Sequence, residues 1–181
     1  GGMRKLVVDL LDVTRIESGQ KKREFEKVDV REVAVASLEM VRGEAERRKI
    51  ALQMHGDGAV PMVADRSEVE LVLNNLVTNA VKYNRDGGRV DLFLEARPDG
   101  VWIKISDTGI GMSAEELARL FKEFVRIKND KTRNILGSGL GLSTVKKIAQ
   151  LYGGDAKVQS VPDQGTTFEV YLPRTDRGLD A

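Results

Sequence analysis

The sequence of 181 residues contains no cysteine and a single histidine, His55. Without cysteine, the chain can form no disulfide, no cysteine-ligated zinc site and no thiol nucleophile. A single histidine also excludes a metal helix that needs two of them. His55 lies in the predicted turn Met54–Gly58, and we interpret it as an exposed loop residue without a catalytic role.

Long apolar segments and an excess of one charge are also missing. The longest uninterrupted apolar run is Val33–Ala36, whereas a membrane helix needs roughly 18 residues. No charged and apolar leader opens the chain, so we expect no signal peptide and no membrane contact by this fragment. The 29 Lys+Arg residues balance 28 Asp+Glu residues, which predicts no nucleic-acid partner. The lack of cysteine fits a cytoplasmic protein.

Glycine is abundant, and 11 of the 18 glycines fall between Gly87 and Gly165. Apolar periodicity predicts interleaved strands and helices, and therefore an α/β sandwich in which helices cover one face of a mixed sheet. The predicted strands are residues 28–30, 50–54, 62–64, 89–96, 101–105, 156–161 and 166–172. The predicted helices are residues 31–49, 66–83 and 138–152. The second helix has Asp65 as its N-cap, with Glu68 three residues on, and a capping box at Ser113 and Glu116 predicts a further short helix.

The first residues show a narrow apolar seam with coiled-coil spacing, formed by Met3, Leu6, Leu10 and Val13. Gly19 can end this helix, and the charged residues that follow read as a hinge. Two interpretations stay open here. The helix either packs on its own domain or is cut from a helical dimer.

The helix 66–83 carries an unusual polar stripe beside its apolar face. Asn75, Asn79, Lys82 and Tyr83 fall on this stripe at about 100° per residue. Amide oxygens are hard neutral ligands that suit Mg²⁺, and a lysine one turn on can contact phosphate. A solvated polar face with incidental asparagines is the alternative.

Two glycine segments follow. Asp107–Met112 comes directly after a strand, and its carboxylate can accept a hydrogen bond from an exocyclic amine such as adenine N6. Gly137–Leu142 leads into the last helix, where backbone N–H groups can face an anion. Each could also be a plain turn or a loop-to-helix junction. Between them, the basic segment Phe121–Leu136 reads either as a lid over phosphates or as a solvated loop.

The order and spacing of these segments resemble the catalytic, ATP-binding domain of bacterial sensor histidine kinases, in the GHKL (Bergerat-fold) superfamily. The matching segments are the N box Asn75–Tyr83, the first glycine box Asp107–Met112, the F box Phe121–Phe124, the second glycine box Gly137–Leu142 and the third glycine box Gly165–Phe168.

The resemblance covers about residues 28–173 and implies a five-stranded mixed sheet with three helices on one face. In addition, Asp12–Gly19 resembles the end of the second helix of the family's dimerisation and phosphoacceptor domain. The chain would then divide into a helix remnant (1–20), a hinge (21–27), the ATP-binding domain (28–173) and a tail (174–181).

The resemblance implies an ATP or ADP site that uses Mg²⁺. Asn75 and Asn79 would hold the ion, Lys82 would contact phosphate, and Arg126 would approach the γ-phosphate. Asn75, Lys82 and Arg126 are thus the predicted catalytic residues.

At the base, Tyr83 would line the adenine and Asp107 would accept from its N6. Gly111 would give room, and Thr167 would assist Asp107 through hydroxyl or water contacts. The remaining predicted nucleotide-binding residues are Gly109, Met112, Phe121, Lys131, Gly137, Gly139, Leu140, Gly141 and Leu142.

One position separates two reactions. Hydrolysing members of the superfamily carry a Glu four residues before the magnesium Asn, and here that residue is Asn75, whose amide cannot act as a general base. The resemblance therefore implies transfer of the γ-phosphoryl group with slow hydrolysis. The family's phosphoacceptor histidine is absent from this chain, and Asn84 stands where Thr or Ser is frequent, with little consequence expected.

We therefore expect a protein-histidine kinase domain whose partners are a dimerisation and phosphoacceptor domain and a response regulator. The chain alone should not phosphorylate itself, and the residue 3–17 helix is a candidate for a homodimer contact. An anti-sigma-type Ser/Thr kinase and a non-enzymatic nucleotide-responsive module remain the alternatives. We expect a cytoplasmic location for this fragment, with membrane anchoring of the parent kinase left open.

Overall fold

A computed structural model of the chain describes residues 23–111 and 138–173. The predicted residue 3–17 helix, the Ser113–Glu116 helix and the lid lie outside these residues. The described elements are β1 (Phe25–Asp29), α1 (Val30–Arg47), β2 (Ala51–His55), β3 (Pro61–Asp65), α2 (Arg66–Lys82), β4 (Arg89–Arg97), β5 (Gly100–Asp107), α3 (Ser138–Leu151), β6 (Asp155–Val161) and β7 (Gly165–Pro173).

Five strands form one mixed sheet in the order β2-β4-β5-β7-β6, and β1 pairs with β3 in a separate two-stranded sheet. β2 runs parallel to β4, and the other neighbours in the large sheet are antiparallel. The predicted mixed sheet of five strands is therefore confirmed.

The large sheet buries one face, as its alternating apolar residues predict. Leu92 of β4 pairs with Ile105 of β5, which in turn pairs with Phe168 of β7, and all three side chains are buried. Each fully buried side chain of this size stabilises the fold by about 1.5–3 kcal/mol. Along β5, Asp107 is the last residue of the strand and lies two residues beyond Ile105, on the same face of the sheet.

Three helices contribute to the covering layer. α2 contacts β5 and lies between α1 and α3, while α3 contacts β6 and β7 and α1 contacts β2. The predicted placement of three helices on one face is confirmed. None of the helices in the described part of the chain combines the length and apolar character that a membrane crossing needs.

The start of the domain differs from the prediction. We expected a hinge over residues 21–27 and a strand over 28–30, but β1 begins at Phe25, and Val30 is the first residue of α1. The prediction was wrong because a tertiary contact extends the strand. β1 pairs along its whole length with β3, and the Phe25 ring lies edge-on to Tyr152 with the ring centroids 6.2 Å apart.

The N-cap of α2 is Asp65, as predicted, and its carboxylate accepts from Ser67 N–H at 2.9 Å. Glu68, three residues on, does not pair with Asp65 in a capping box, because its fully buried carboxylate bonds elsewhere. It accepts two bonds from Arg23, at 2.8 and 2.9 Å, and one from the Tyr152 hydroxyl at 2.6 Å. Burial and the neighbouring Glu68 raise the pKa of Tyr152. This cluster joins the first described residues to α2 and to the end of α3.

Candidate nucleotide-binding site

Two asparagines one turn apart on α2 form the first part of the site. The side chain of Asn75 donates to the Leu71 carbonyl at 2.7 Å, and that of Asn79 donates to the Asn75 carbonyl at 2.8 Å. A carbonyl can only accept, so the amide nitrogen of each side chain must face the helix and the oxygen must point away from it. Both residues are more than nine-tenths buried. The helix therefore presents two oriented amide oxygens on one stripe.

A neighbouring asparagine on the same helix has a different role. Asn74 accepts a hydrogen bond from the Ser37 hydroxyl at 2.6 Å and thus belongs to the packing of α1 against α2. The structure therefore separates Asn74 from the predicted metal ligands, although all three residues are asparagines of one helix.

The C-terminal end of α2 meets the first glycine box. Lys82 is exposed and Tyr83 is half-buried, and Tyr83 is the C-cap residue of the helix. The Tyr83 carbonyl accepts from Ile110 N–H at 3.0 Å. This bond brings the predicted phosphate-contacting and adenine-lining residues to the edge of the Asp107–Gly111 loop.

Asp107 ends β5 on the face that the helices cover. Its carboxylate accepts from Gly109 N–H at 2.8 Å and from the backbone N–H of Thr166. Burial raises the pKa of Asp107 to about 7, and the two N–H donors oppose this shift. The carboxylate is thus a fixed acceptor whose charged form is disfavoured by burial. A further hydrogen-bond donor from a ligand would stabilise that charged form.

Glycine is required in this loop because other backbone segments approach it closely. A Cβ on Gly109 would overlap the Tyr83 carbonyl and would lie 2.8 Å from the Asp107 carboxylate. Gly111 has φ of +69°, and a Cβ there would overlap the carbonyl of Val161. The fold itself therefore requires glycine at position 111, and the room that the resemblance assigns to Gly111 beside the nucleotide stays a prediction.

The described residues fit a magnesium nucleotide. Two amide oxygens on Asn75 and Asn79 suit a hard cation that brings its own phosphates and waters. Asp107 suits an exocyclic amine, because an ionised carboxylate only accepts hydrogen bonds. The two kinds of group are joined through the Tyr83–Ile110 backbone bond.

A family model described as histidine kinase-, DNA gyrase B-, and HSP90-like ATPase matches residues 64–176. The chain belongs to this ATPase family.

Similar proteins place the ATPase domain more closely. The chain is 36% identical over 172 residues to the non-motile and phage-resistance protein of Caulobacter vibrioides, covering 93% of this chain and 20% of that protein. It is 33% identical over 169 residues to the alginate biosynthesis sensor protein KinB of Pseudomonas aeruginosa, covering 93% of this chain and 28% of that protein. The chain thus spans under a third of the length of either relative.

Among solved structures, the mycobacterial sensor histidine kinase MprB is 31% identical. Its TM-score is 0.71, and the match covers 82% of this chain and 97% of that chain. The ATPase domain described here therefore has the fold of a histidine kinase catalytic domain.

Within this ATPase domain, one predicted contact is absent. Thr167 was expected to assist Asp107, but its hydroxyl lies 2.9 Å from that of Ser106, on the opposite face of the sheet. Thr166, the partner of Asp107 in the β5–β7 register, supplies the backbone N–H instead. The prediction was wrong by one residue because side chains alternate between the two faces of a strand.

The predicted site residues of the ATPase domain divide between the described and the remaining parts of the chain. Met112, Phe121, Arg126, Lys131 and Gly137 lie outside the described residues. Gly139, Leu140, Gly141 and Leu142 belong to the first turns of α3, which begins at Ser138 as predicted.

The prediction that the single histidine lies in an exposed loop is wrong. His55 is the last residue of β2 and is half-buried on the outer face of the sheet. Its Nε2 lies 2.7 Å from an Asp91 oxygen, and its ring stacks on Phe93 with the centroids 4.4 Å apart. The Arg89 guanidinium, and then His55, lower the pKa of Asp91. These contacts assign His55 to sheet packing.

Asn84 is a buried polar residue next to the predicted site. Only 4% of it is exposed, and its side chain bonds to the Arg89 carbonyl, the Arg85 N–H and the Thr108 hydroxyl. Asn84 thus joins the end of α2 to both β4 and the Asp107 loop, a structural role that the sequence analysis did not predict. The polar segment Asn84–Arg85 before Asp86–Gly87 was the available signal.

Proposed function

We propose that this chain is the catalytic domain of a sensor histidine kinase, which binds Mg-ATP and transfers its γ-phosphoryl group to a histidine of a dimerisation and phosphoacceptor domain. The relatives that are called sensor protein and sensor histidine kinase support this function. The observation that carries it is Asn75, whose amide nitrogen is committed to the Leu71 carbonyl and whose oxygen accepts no bond from the described residues.

Asn75 favours transfer over hydrolysis. It stands one turn before Asn79, where an amide can ligate a cation but cannot remove a proton from water. The two fully or nearly buried carboxylates among the described residues, Asp65 and Glu68, are engaged elsewhere. Asp65 caps α2, and Glu68 is bound by Arg23 and Tyr152. Neither is available as a general base.

Catalysis would then rest on positioning and charge neutralisation. Asp107 and Tyr83 would hold the adenine and so place the triphosphate along α2. Asn75 and Asn79 would hold Mg²⁺, and the ion would supply positive charge beside the phosphates. Lys82 contacts phosphate. The acceptor histidine nitrogen bonds to the γ-phosphorus as the bond to the bridging oxygen breaks, and ADP leaves with the electron pair.

The remaining parts of the proposal concern residues outside the described ranges. Arg126 would approach the γ-phosphate from the lid. Residues 1–20 would be the remnant of the second helix of the dimerisation domain, and residues 3–17 would contact a second copy. A response regulator would receive the phosphoryl group, and sedimentation at several concentrations would test the homodimer.

Nucleotide titration tests the binding half of the proposal. Wild-type chain should bind ATP, and removal of Mg²⁺ should weaken that binding. Asp107→Asn should raise the ATP Kd by about tenfold or more, because a carboxylate acceptor is lost. Thr167→Ala is the matched control, since its hydroxyl faces the other side of the sheet, and it should change the Kd less than about twofold.

Labelled ATP tests the transfer half. The chain alone should acquire no acid-labile, base-stable phosphate, whereas a dimerisation fragment with the acceptor histidine should become labelled when both are mixed. Labelling of the chain alone would contradict the proposal. ATP binding without any transfer to the fragment would favour a non-enzymatic module, and labelled serine or threonine would favour the anti-sigma type.

A further inference from the structure

The adenine-binding loop Asp107–Gly111 is joined to two distant segments of the chain. Ile110 N–H donates to the Tyr83 carbonyl at 3.0 Å, and the Ile110 carbonyl accepts from Asp163 N–H at 2.5 Å. One bond attaches the loop to the end of α2, and the other attaches it to the turn between β6 and β7. Between these attachments lies Gly109, whose N–H donates to the Asp107 carboxylate at 2.8 Å, so the two segments together place this donor.

Arg85 bridges the loop and the β6–β7 turn with one guanidinium nitrogen. Its Nη2 donates to the Gly109 carbonyl at 3.1 Å and to the Asp163 carbonyl at 2.7 Å. Asp163 has φ of +65°, which is uncommon for a residue with a Cβ, so the turn gains from an external donor. An arginine keeps its charge at all working pH values, and the bridge therefore does not depend on pH.

Asn84 holds the backbone of Arg85 just beyond the C-terminal end of α2. Its Oδ1 accepts from Arg85 N–H at 2.9 Å and from the Thr108 hydroxyl at 3.1 Å, while its Nδ2 donates to the Arg89 carbonyl at 3.0 Å. A serine or threonine hydroxyl has only one hydrogen to donate and sits on a shorter side chain. The buried Asn84 thus holds the Arg85 backbone and the loop residue Thr108 together.

We propose that Arg85 is a positioning residue for base recognition in this chain. By holding the Gly109 and Asp163 carbonyls together, it keeps the Asp107 carboxylate where it accepts from adenine N6. Arg85 touches neither nucleotide nor metal in this role. The inference rests on the proposed function, since it assumes that Asp107 reads adenine.

The test compares ATP with ITP, in which a carbonyl replaces the N6 amine, on the full chain. Arg85→Met keeps the aliphatic stem and removes the donors, and it should raise the ATP Kd by about tenfold. The Kd for ITP should change by less than about twofold, because ITP lacks the N6 amine whose position the Asp107 carboxylate has to match.

Two further variants sharpen this comparison. Arg85→Lys should restore ATP binding to within about threefold of wild type, because an ammonium can donate to both carbonyls. Arg97→Met is the matched control, because Arg97 is also an exposed arginine, bonded to Glu95 and stacked over Trp102 on the outer sheet face. It should leave both Kd values unchanged.

Each outcome is informative. Equal losses for ATP and ITP in Arg85→Met, or an unchanged ATP Kd, would overturn the inference while leaving the proposed function in place. A wild-type chain that fails to bind ATP would overturn both. If thermal unfolding shows that Arg85→Met does not fold, Arg85→Gln replaces it. The shorter Gln cannot bridge both carbonyls, and the same ATP-specific loss is required.

Discussion

At the residue scale, the site depends on which atoms of a side chain are already committed. The side-chain nitrogens of Asn75 and Asn79 donate to backbone carbonyls of the helix, so their side-chain oxygens point away from it. Asp107 is held by two N–H donors, yet its burial still raises its pKa to about 7. An adenine amine would therefore meet a carboxylate that gains from one more donor.

The free energy of unfolding of the nucleotide-free domain should depend on pH through Asp107. Its folded pKa of about 7 exceeds the unfolded value of about 3.9, so the folded state keeps a proton that the unfolded state releases between these values. This contribution is fully present below about pH 4 and is lost as the pH rises through about 7.

Urea unfolding of wild type and Asp107→Asn at several pH values measures this contribution. Between pH 5 and pH 7, the free energy of unfolding of Asp107→Asn minus that of wild type should rise by about 2 kcal/mol. A difference that stays level over this range, or falls, would show that Asp107 is not protonated in the folded state.

At the element scale, caps and close backbone contacts set the boundaries of the site. Asp65 starts α2, and one full turn separates Asn75 from Asn79, so both fall on one stripe. The first glycine box is different, because its backbone must pass within contact distance of Tyr83 and Val161. The backbone packing of the domain therefore requires these glycines whether or not a ligand is bound.

Substitution of Gly111 should separate these two requirements. Gly111→Ala places a Cβ at φ of +69° and against the Val161 carbonyl, and it should destabilise the domain by about 3 kcal/mol. Gly87 has φ of +77° with open space around it, so Gly87→Ala should cost only about 1 kcal/mol. Denaturant unfolding measures both values, and equal losses would rule out the backbone overlap as the cause.

At the scale of the whole molecule, a partly buried ion pair joins segments that are distant in sequence. Arg23 and Glu68 are 45 residues apart, and Tyr152 is a further 84 from Glu68. The Arg23 guanidinium also lies over the rings of Phe25 and Tyr152, at 4.7 and 5.2 Å. The strand that enters the domain is thereby attached to both helices that carry the predicted nucleotide site.

Removal of Arg23 should be costly because Glu68 has no exposed surface. Arg23→Ala should destabilise the domain by about 3 kcal/mol, and adding Glu68→Gln should recover at least about 1 kcal/mol, since no buried charge is then left unpaired. The control is Arg66→Ala, which removes an exposed pair with Glu26 at 3.4 Å and should cost under about 0.5 kcal/mol. A double-mutant cycle by urea unfolding checks these values, and strict additivity would contradict the coupling.

The amino-acid sequence by itself determined the order of the elements, the buried face of the sheet and the family's boxes. Val90, Leu92 and Leu94 alternate within one strand, and the cap at Asp65 acts within two residues. Such signals are local, because they depend on the period of an element or on the first turn of a helix.

Only the tertiary structure decided which neighbouring residues share a site. Thr166 faces Asp107 and Thr167 does not, because strand pairing sets the register. Phe25 joins a strand because β3 lies beside it. Glu68 does not cap α2, because Arg23 and Tyr152 donate to its carboxylate. These partners are far away along the chain, and no local pattern encodes a contact that exists only after the elements have packed.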